Sequence, residues 1–228
     1  MQKITLQEET LDFRTREAFN TLRTNIEFSG SNIQVVALTS CMHAEGKSTV
    51  SYQLARALAM NGRKTLMIDA DLRRSVMKKN YKSGKVRLGL THYLIGRNLY
   101  EDVICETDVK DLHMIFAGPV PPNPSELLGN EYFARLLEAA RKDYDCVIVD
   151  TPPLGAVIDS VVVGRQCDGV AVVIQSGETS YRFVRKIIKQ LEMADCKILG
   201  CILNKVNTKN HGYYGKYYDK HYGYYEEV

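Results

Sequence analysis

Gly46, Lys47 and Ser48 stand where an apolar run, IQVVALTS (33–40), gives way to a helical one, STVSYQLARALAMNG (48–62). A strand, a tight turn and a helix opening on Gly-Lys-Ser make a phosphate cradle. Backbone N–H groups and the helix N-terminus face the anion, and glycine lets the backbone come close. Within CMHAEGKST (41–49), the residues Ala44, Glu45, Gly46, Lys47, Ser48 and Thr49 would line such a loop. Lys47 would act as a point charge, and the Ser48 hydroxyl as a magnesium ligand. The full pattern has glycine six residues before the lysine. This chain has Cys41 there, and Ala44 where a second glycine is common. Gly-Lys-Ser by itself is too frequent to define a nucleotide site, so the neighbouring elements must supply the rest.

They supply carboxylates. LMIDADLRR (66–74) ends a second apolar run with Asp69 and Asp71, and CVIVD (146–150) ends a third at Asp150, before Thr151-Pro152-Pro153. In an open parallel sheet, ligands bind beyond the carboxyl ends of the strands. One aspartate after a strand is ordinarily a turn or a helix cap. Three of them, from two strand ends, meeting a Gly-Lys-Ser loop point to a Mg-nucleotide. On this reading Lys47, Asp69, Asp71 and Asp150 form the catalytic set, and Ser48, Asp71 and Asp150 the metal set. Asp150 would hold the metal's water shell, and Asp69 or Asp71 would ligate the metal or orient the nucleophile. Phosphoryl transfer asks for such positioning and charge neutralisation above all.

The elements that must position these groups alternate. Apolar runs at 33–40, 64–70, 112–116, 146–150, 169–176 and 197–204 are rich in β-branched residues and lack polar alternation, as in strands covered on both faces. Helical segments are expected over 48–62, 123–142 and 179–193, and one more over 10–28, ahead of the alternation. The fold class that follows is α/β: a P-loop NTPase-like, mostly parallel central sheet with helices on both faces and right-handed crossovers. One domain is expected over 1–209, then a tail over 210–228.

Composition narrows the partners. The 228 residues carry a net charge of +3 and no long Lys/Arg run, so no nucleic-acid partner is expected. The opening MQKITLQEET is polar and acidic, and no apolar run reaches 18 residues, so neither a signal peptide nor a membrane span is expected. The six cysteines form no Cys-x-x-Cys pair; Cys146, Cys167 and Cys201 sit in apolar stretches and read as buried free thiols of a reducing cytosol.

The tail, NHGYYGKYYDKHYGYYEEV, holds seven of the fourteen tyrosines: Tyr213, Tyr214, Tyr217, Tyr218, Tyr222, Tyr224 and Tyr225. With no aliphatic residue before Val228 it can bury little core, and it reads as mobile. Taken alone, such a cluster reads more readily as a sticky aromatic terminus packing on a partner than as a phosphorylation site.

Together these residues resemble a known family, the bacterial tyrosine kinases of capsule and exopolysaccharide synthesis, in the form that lacks its own membrane domain. EGKST (45–49) is similar to the family's modified Walker A motif, LMIDADLRR (66–74) to its Walker A-prime with Asp69, Asp71 and Arg73 in place, and CVIVDTPP (146–153) to its Walker B. GPVPPNPSELL (118–128), GLTHYLIGR (89–97), ILGCILNKV (198–206) and the tyrosine tail extend the likeness over nearly the whole chain. The resemblance implies an ATP- and Mg²⁺-dependent kinase that phosphorylates its own tail tyrosines. It brings Arg73 into the nucleotide site and, at the end of the last strand, Asn204 as a base contact. It implies a ring-like homo-oligomer in which one tail enters a neighbour's active site. It also implies a transmembrane activator related to chain-length regulators, a tyrosine phosphatase that reverses the modification, and a cytoplasmic protein held at the inner face of the membrane through its partner.

Two positions depart from the family pattern. The Glu-x-x-Arg-x-x-Arg of the N-terminal helix, linked to oligomerisation, is EAFNTLR here: Glu17 and Arg23 match, and Asn20 replaces the middle arginine. His43-Ala44 replaces a frequent Pro-Gly, and a positive φ at Ala44 would cost about 1 kcal/mol. Two rival readings are a Min/Par-like ATPase switch and a non-catalytic nucleotide-binding scaffold of a polysaccharide assembly machine. The first expects a lysine at position 42, where this chain has Met42.

Overall fold

The structure is a computed structural model that describes residues 1–7, 10–77 and 81–207. The tyrosine-rich segment 210–228, with all seven proposed phosphoacceptors, lies outside the described residues. Among the described residues, nine strands form one sheet: β1 (Gln2–Leu6), β2 (Val35–Ser40), β3 (Thr65–Asp69), β4 (Tyr81–Gly84), β5 (Cys105–Glu106), β6 (Leu112–Ile115), β7 (Cys146–Asp150), β8 (Gly169–Gln175) and β9 (Ile198–Asn204). Their order is β4-β1-β5-β6-β3-β7-β2-β8-β9. The run from β6 to β9 is parallel, whereas β4 on β1 and β5 on β6 are antiparallel. All six strands read from the apolar runs are present. Strands β1, β4 and β5 carry too few apolar residues to register as buried runs, and they extend the sheet on one side.

The helices are α1 (Phe13–Glu27), α2 (Lys47–Met60), α3 (Leu90–Leu94), α4 (Tyr100–Val103), α5 (Pro124–Leu128), α6 (Glu131–Asp143), α7 (Asp159–Gly164) and α8 (Tyr181–Met193). The segment expected as one helix over 123–142 is two. Asn130 breaks it, because its side chain accepts the Phe133 N–H and caps α6.

Alternate residues of each central strand enter opposite cores, as a period of two requires. Val35, Ala37, Leu66, Ile68, Val147 and Val149 pack with α6, α7 and α8 through Phe133, Leu137, Val163, Ile187 and Leu191. Val36, Leu38, Met67, Ile148 and Val173 pack on the other face with Leu54, Ala55 and Leu58 of α2 and Ile26 of α1. Helices therefore cover both faces of the sheet. Strand β9 departs from the expected double burial: it lies at the sheet edge beside β8 alone, and Gly200, Cys201 and Leu203 are exposed. Of the three thiols read as buried, Cys146 is buried, Cys167 is half-buried and Cys201 is exposed.

Candidate active site

Strand pairing alone assembles the carboxylates. In the parallel β3–β7 ladder Asp69 stands opposite Asp150, and in β2–β7 Leu38 stands opposite the same Asp150. Partners in such a ladder point to the same face. Two aspartates thus sit side by side at the carboxyl ends of adjacent strands, next to the loop that leaves β2. Both are 1% exposed.

Lys47 neutralises one of them. Its Nζ lies 2.8 Å from Asp150 Oδ1, with the lysine side chain 6% exposed. Ser51, one helical turn further along α2, donates its hydroxyl to the same oxygen at 2.9 Å. Lys47 Nζ also donates to Ser48 Oγ at 3.1 Å, so Lys47, Ser48 and Asp150 form one polar cluster. Asp69 has weaker support: the Ser75 hydroxyl and, at 3.2 Å, the Asp71 N–H. Burial, and then the neighbouring Asp150 charge, push its carboxyl up to about 7, against the pull of the Ser75 hydrogen bond and Lys47. Asp71 Oδ1 accepts the N–H groups of Arg73 and Arg74 at 3.3 and 2.9 Å, which folds the turn after β3. The described residues give its Oδ2 no hydrogen bond.

The loop between β2 and α2 has the geometry of an anion cradle. Helix α2 starts at Lys47 behind Gly46, which has φ 87° and gives no side-chain cap. The amides of its first turn are therefore left for a ligand. Ala44 adopts φ 65°, so the costly left-handed conformation foreseen for that position is present. Cys41, in the place of the first glycine, is fully buried, and burial pushes its thiol up to about 12. Ser48 is half-buried, and Thr49 is exposed on the first turn.

Three residues expected in the nucleotide site make contacts within the protein. Glu45 is buried, and its carboxylate turns inward to accept Met42 N–H at 2.7 Å, Gln175 N–H at 3.4 Å and the Thr179 hydroxyl. It braces the loop against the end of β8, leaving only its backbone for a phosphate. Arg73 is committed to Asp159 through Nε–Oδ2 at 2.7 Å and Nη2–Oδ1 at 3.0 Å, and it also reaches Ser125 Oγ at 3.0 Å. It ties the turn after β3 to α5 and α7. Asn204 donates to the Glu45 carbonyl at 2.8 Å, behind the loop.

Sequence reasoning missed Ser51, Ser75, Asp159 and Lys205. Ser51 had a signal, since it lies four residues after Lys47 and so on the same helix face. Asp159 had none: its partner Arg73 is 86 residues away.

The donor set fits a magnesium nucleotide: an uncapped helix start behind a left-handed glycine, a lysine, a serine hydroxyl and strand-end carboxylates. No cluster of three or more His, Cys, Asp or Glu side chains among the described residues is arranged to hold a metal by itself. Magnesium commonly takes one or two carboxylates and completes its shell with water and phosphate oxygens.

Known proteins share this fold and much of this sequence. Residues 33–199 match the family described as AAA domain. The tyrosine-protein kinase CpsD of Streptococcus agalactiae is 46% identical over 206 residues, 90% of each chain. The kinase domain of Escherichia coli tyrosine kinase ETK superposes with a TM-score of 0.80 at 34% identity, covering 90% of this chain and 89% of that one. The putative tyrosine-protein kinase EpsB of Ralstonia solanacearum is 37% identical over 91% of this chain but only 28% of its own length.

Proposed function

The chain belongs to the bacterial tyrosine-protein kinases of capsule and exopolysaccharide synthesis, and on that footing we propose that it transfers the γ-phosphoryl group of ATP to the tyrosines of its own segment 210–228. The observation that carries the site assignment is the convergence of Lys47, Ser48, Asp69 and Asp150 at three adjacent strand ends. The Min/Par-like switch is not favoured, given Met42 and kinase relatives over nearly the whole chain.

In this reading the N–H groups from Glu45 to Ser48 bind the β- and γ-phosphates, and Lys47 leaves Asp150 to join them. Ser48, Asp71 and Asp150 would hold the metal. Magnesium, when bound, neutralises charge on the phosphate oxygens. The acceptor tyrosine's oxygen bonds to the γ-phosphorus as the bond to the β–γ bridging oxygen breaks, and ADP leaves. Asp69 takes the phenolic proton. Its burial beside Asp150 supports that role, because a carboxyl held near neutrality works as a base at physiological pH. Arg73 serves the site by fixing the turn that carries Asp69 and Asp71.

No helix among the described residues is long and apolar enough to cross a membrane. EpsB contains a kinase-like portion within a far longer chain. The greater length of EpsB supports a separate transmembrane partner that recruits and activates this chain at the inner membrane face. A homo-oligomer, with one subunit's tail in the next subunit's site, and a cognate phosphatase complete the proposal. The domain division is a body over 1–209 and a substrate tail over 210–228.

The test is mass spectrometry of the full chain incubated with ATP and Mg²⁺, with and without the partner's cytoplasmic segment. Phosphate on the tail tyrosines, lost in Lys47→Met, is expected. An unmodified tail under both conditions would favour the non-catalytic scaffold.

A further inference from the structure

Two residues at the end of β9 hold the phosphate loop from behind. Asn204 Nδ2 donates to the Glu45 carbonyl at 2.8 Å. Lys205 Nζ donates to the Ala44 carbonyl at 2.6 Å and to Gln175 Oε1 at 3.0 Å. These are successive carbonyls of the loop, and each shares a peptide unit with the N–H of the next residue. The Ala44 carbonyl is conjugated to the Glu45 N–H, and the Glu45 carbonyl to the Gly46 N–H. A donor placed on a carbonyl polarises its peptide and makes the N–H at the other end a stronger donor. A cation does so more than a neutral amide.

The backbone shows why the loop needs holding. Ala44 at φ 65° and Gly46 at φ 87° are both left-handed, on either side of Glu45. Ala44 pays for its Cβ in that conformation, and its carbonyl is the one Lys205 grips. Gly46 leaves the space that Asn204 uses, since a Cβ there would lie 2.2 Å from Asn204 Nδ2. Lys205 is itself left-handed, at φ 56°, which carries its side chain off the strand direction and back over the loop. Lys47, the other cation at this loop, is tied to Asp150.

We propose that Lys205 is a positioning residue for the nucleotide. Its ammonium fixes the phosphate loop in the binding conformation and strengthens the Glu45 N–H as a phosphate donor. The inference rests on reading residues 41–49 as the nucleotide loop. Since Lys205 is exposed, its contribution is screened and weakens as salt rises.

The experiment compares full-length wild type, Lys205→Met and Lys205→Arg by calorimetric titration with Mg-ADP at low and high salt, alongside kcat and KM for ATP. Lys205→Met is expected to bind Mg-ADP about three- to tenfold more weakly at low salt, with a matching rise in KM and little change in kcat. Lys205→Arg is expected to restore most of the affinity, and the gap between Met and wild type to narrow at high salt. Circular dichroism of each variant confirms that the fold is kept. Equal affinity in Lys205→Met and wild type overturns the proposal. So does a Lys205→Arg as weak as Lys205→Met, or a fall in kcat with KM unchanged. A wild type that does not bind Mg-ADP overturns the nucleotide-site reading itself, a result separate from these.

Discussion

Lys47 has two jobs, which a single substitution exposes together. Its ammonium is the phosphate-binding charge of the proposed mechanism, and without nucleotide it compensates the buried Asp150 at 2.8 Å. Removing one partner of a buried pair strands the other charge, typically at a cost of about 3–5 kcal/mol. Lys47→Met should therefore lose Mg-ADP binding and also unfold at lower urea concentration than wild type without ligand. A variant as stable as wild type would mean that Asp150 finds other support. Asp69 predicts a pH effect. Its carboxyl titrates at about 7 in the folded chain and near the ordinary 3.8 when unfolded, so the folded state binds the extra proton. Stability of the nucleotide-free protein should then fall as pH rises from about 4 to about 7 through this group. Asp69→Asn removes that contribution, and its melting temperature should decline less over the same range. Parallel pH profiles for the two proteins would show that Asp69 is not the group responsible.

At the scale of elements, the site depends on how closely the loops after β2 and β7 approach. A Cβ at Gly155 would meet the Cys41 carbonyl at 2.1 Å and Phe183 Cζ at 2.8 Å. Gly155→Ala must separate the Cys41 carbonyl from the loop after β7 and also displace Phe183 of α8, at a cost of about 1–3 kcal/mol. Thermal unfolding should register that cost, and titration with Mg-ADP should show weaker binding. Unchanged affinity would mean that the loop after β7 yields and the phosphate loop keeps its place. The elements themselves were largely legible from sequence. Runs such as VVAL and CVIV show no polar alternation because both faces are covered, and the strands they open, VVALTS and CVIVD, are buried at every position. Strand β1 was harder to read: its alternation, with Ile4 and Leu6 buried, spans only five residues. The break between α5 and α6 depends on Asn130 acting as a cap, which a helical period running through 123–142 conceals.

For the whole molecule, the proposed tail chemistry links charge to assembly. Each phosphate adds about −1.5 to −2 charges at neutral pH. Seven tyrosines lie within nineteen near-neutral residues, so full modification would make the tail strongly anionic. Repulsion would then expel it from a neighbour's site and dissolve the oligomer. Light scattering should show wild type dissociating with ATP and Mg²⁺, and a variant with all seven tail tyrosines changed to phenylalanine staying assembled. Dissociation of that variant by ATP would refute the link. In α1, Asn20 donates to Glu17 at 2.8 Å, within the Glu17-to-Arg23 segment expected to support oligomerisation. That carboxylate is engaged inside its own subunit.

By itself the sequence determined the fold class and the family and supplied the residues proposed for the site, because buried parallel strands and a Gly-Lys-Ser turn leave local signatures in residue order. Tertiary structure decided how those residues divide the work. Asp69 faces Asp150 because two strands 81 residues apart in the chain are paired in a particular register. The carboxylate of Glu45 turns inward because the end of β8 offers it donors. Arg73 braces the turn after β3 because α7 brings Asp159 to it, and Lys205 reaches the loop only because β9 ends beside it. These partners are far apart in sequence, and no local spacing encodes a contact that only the packed sheet creates.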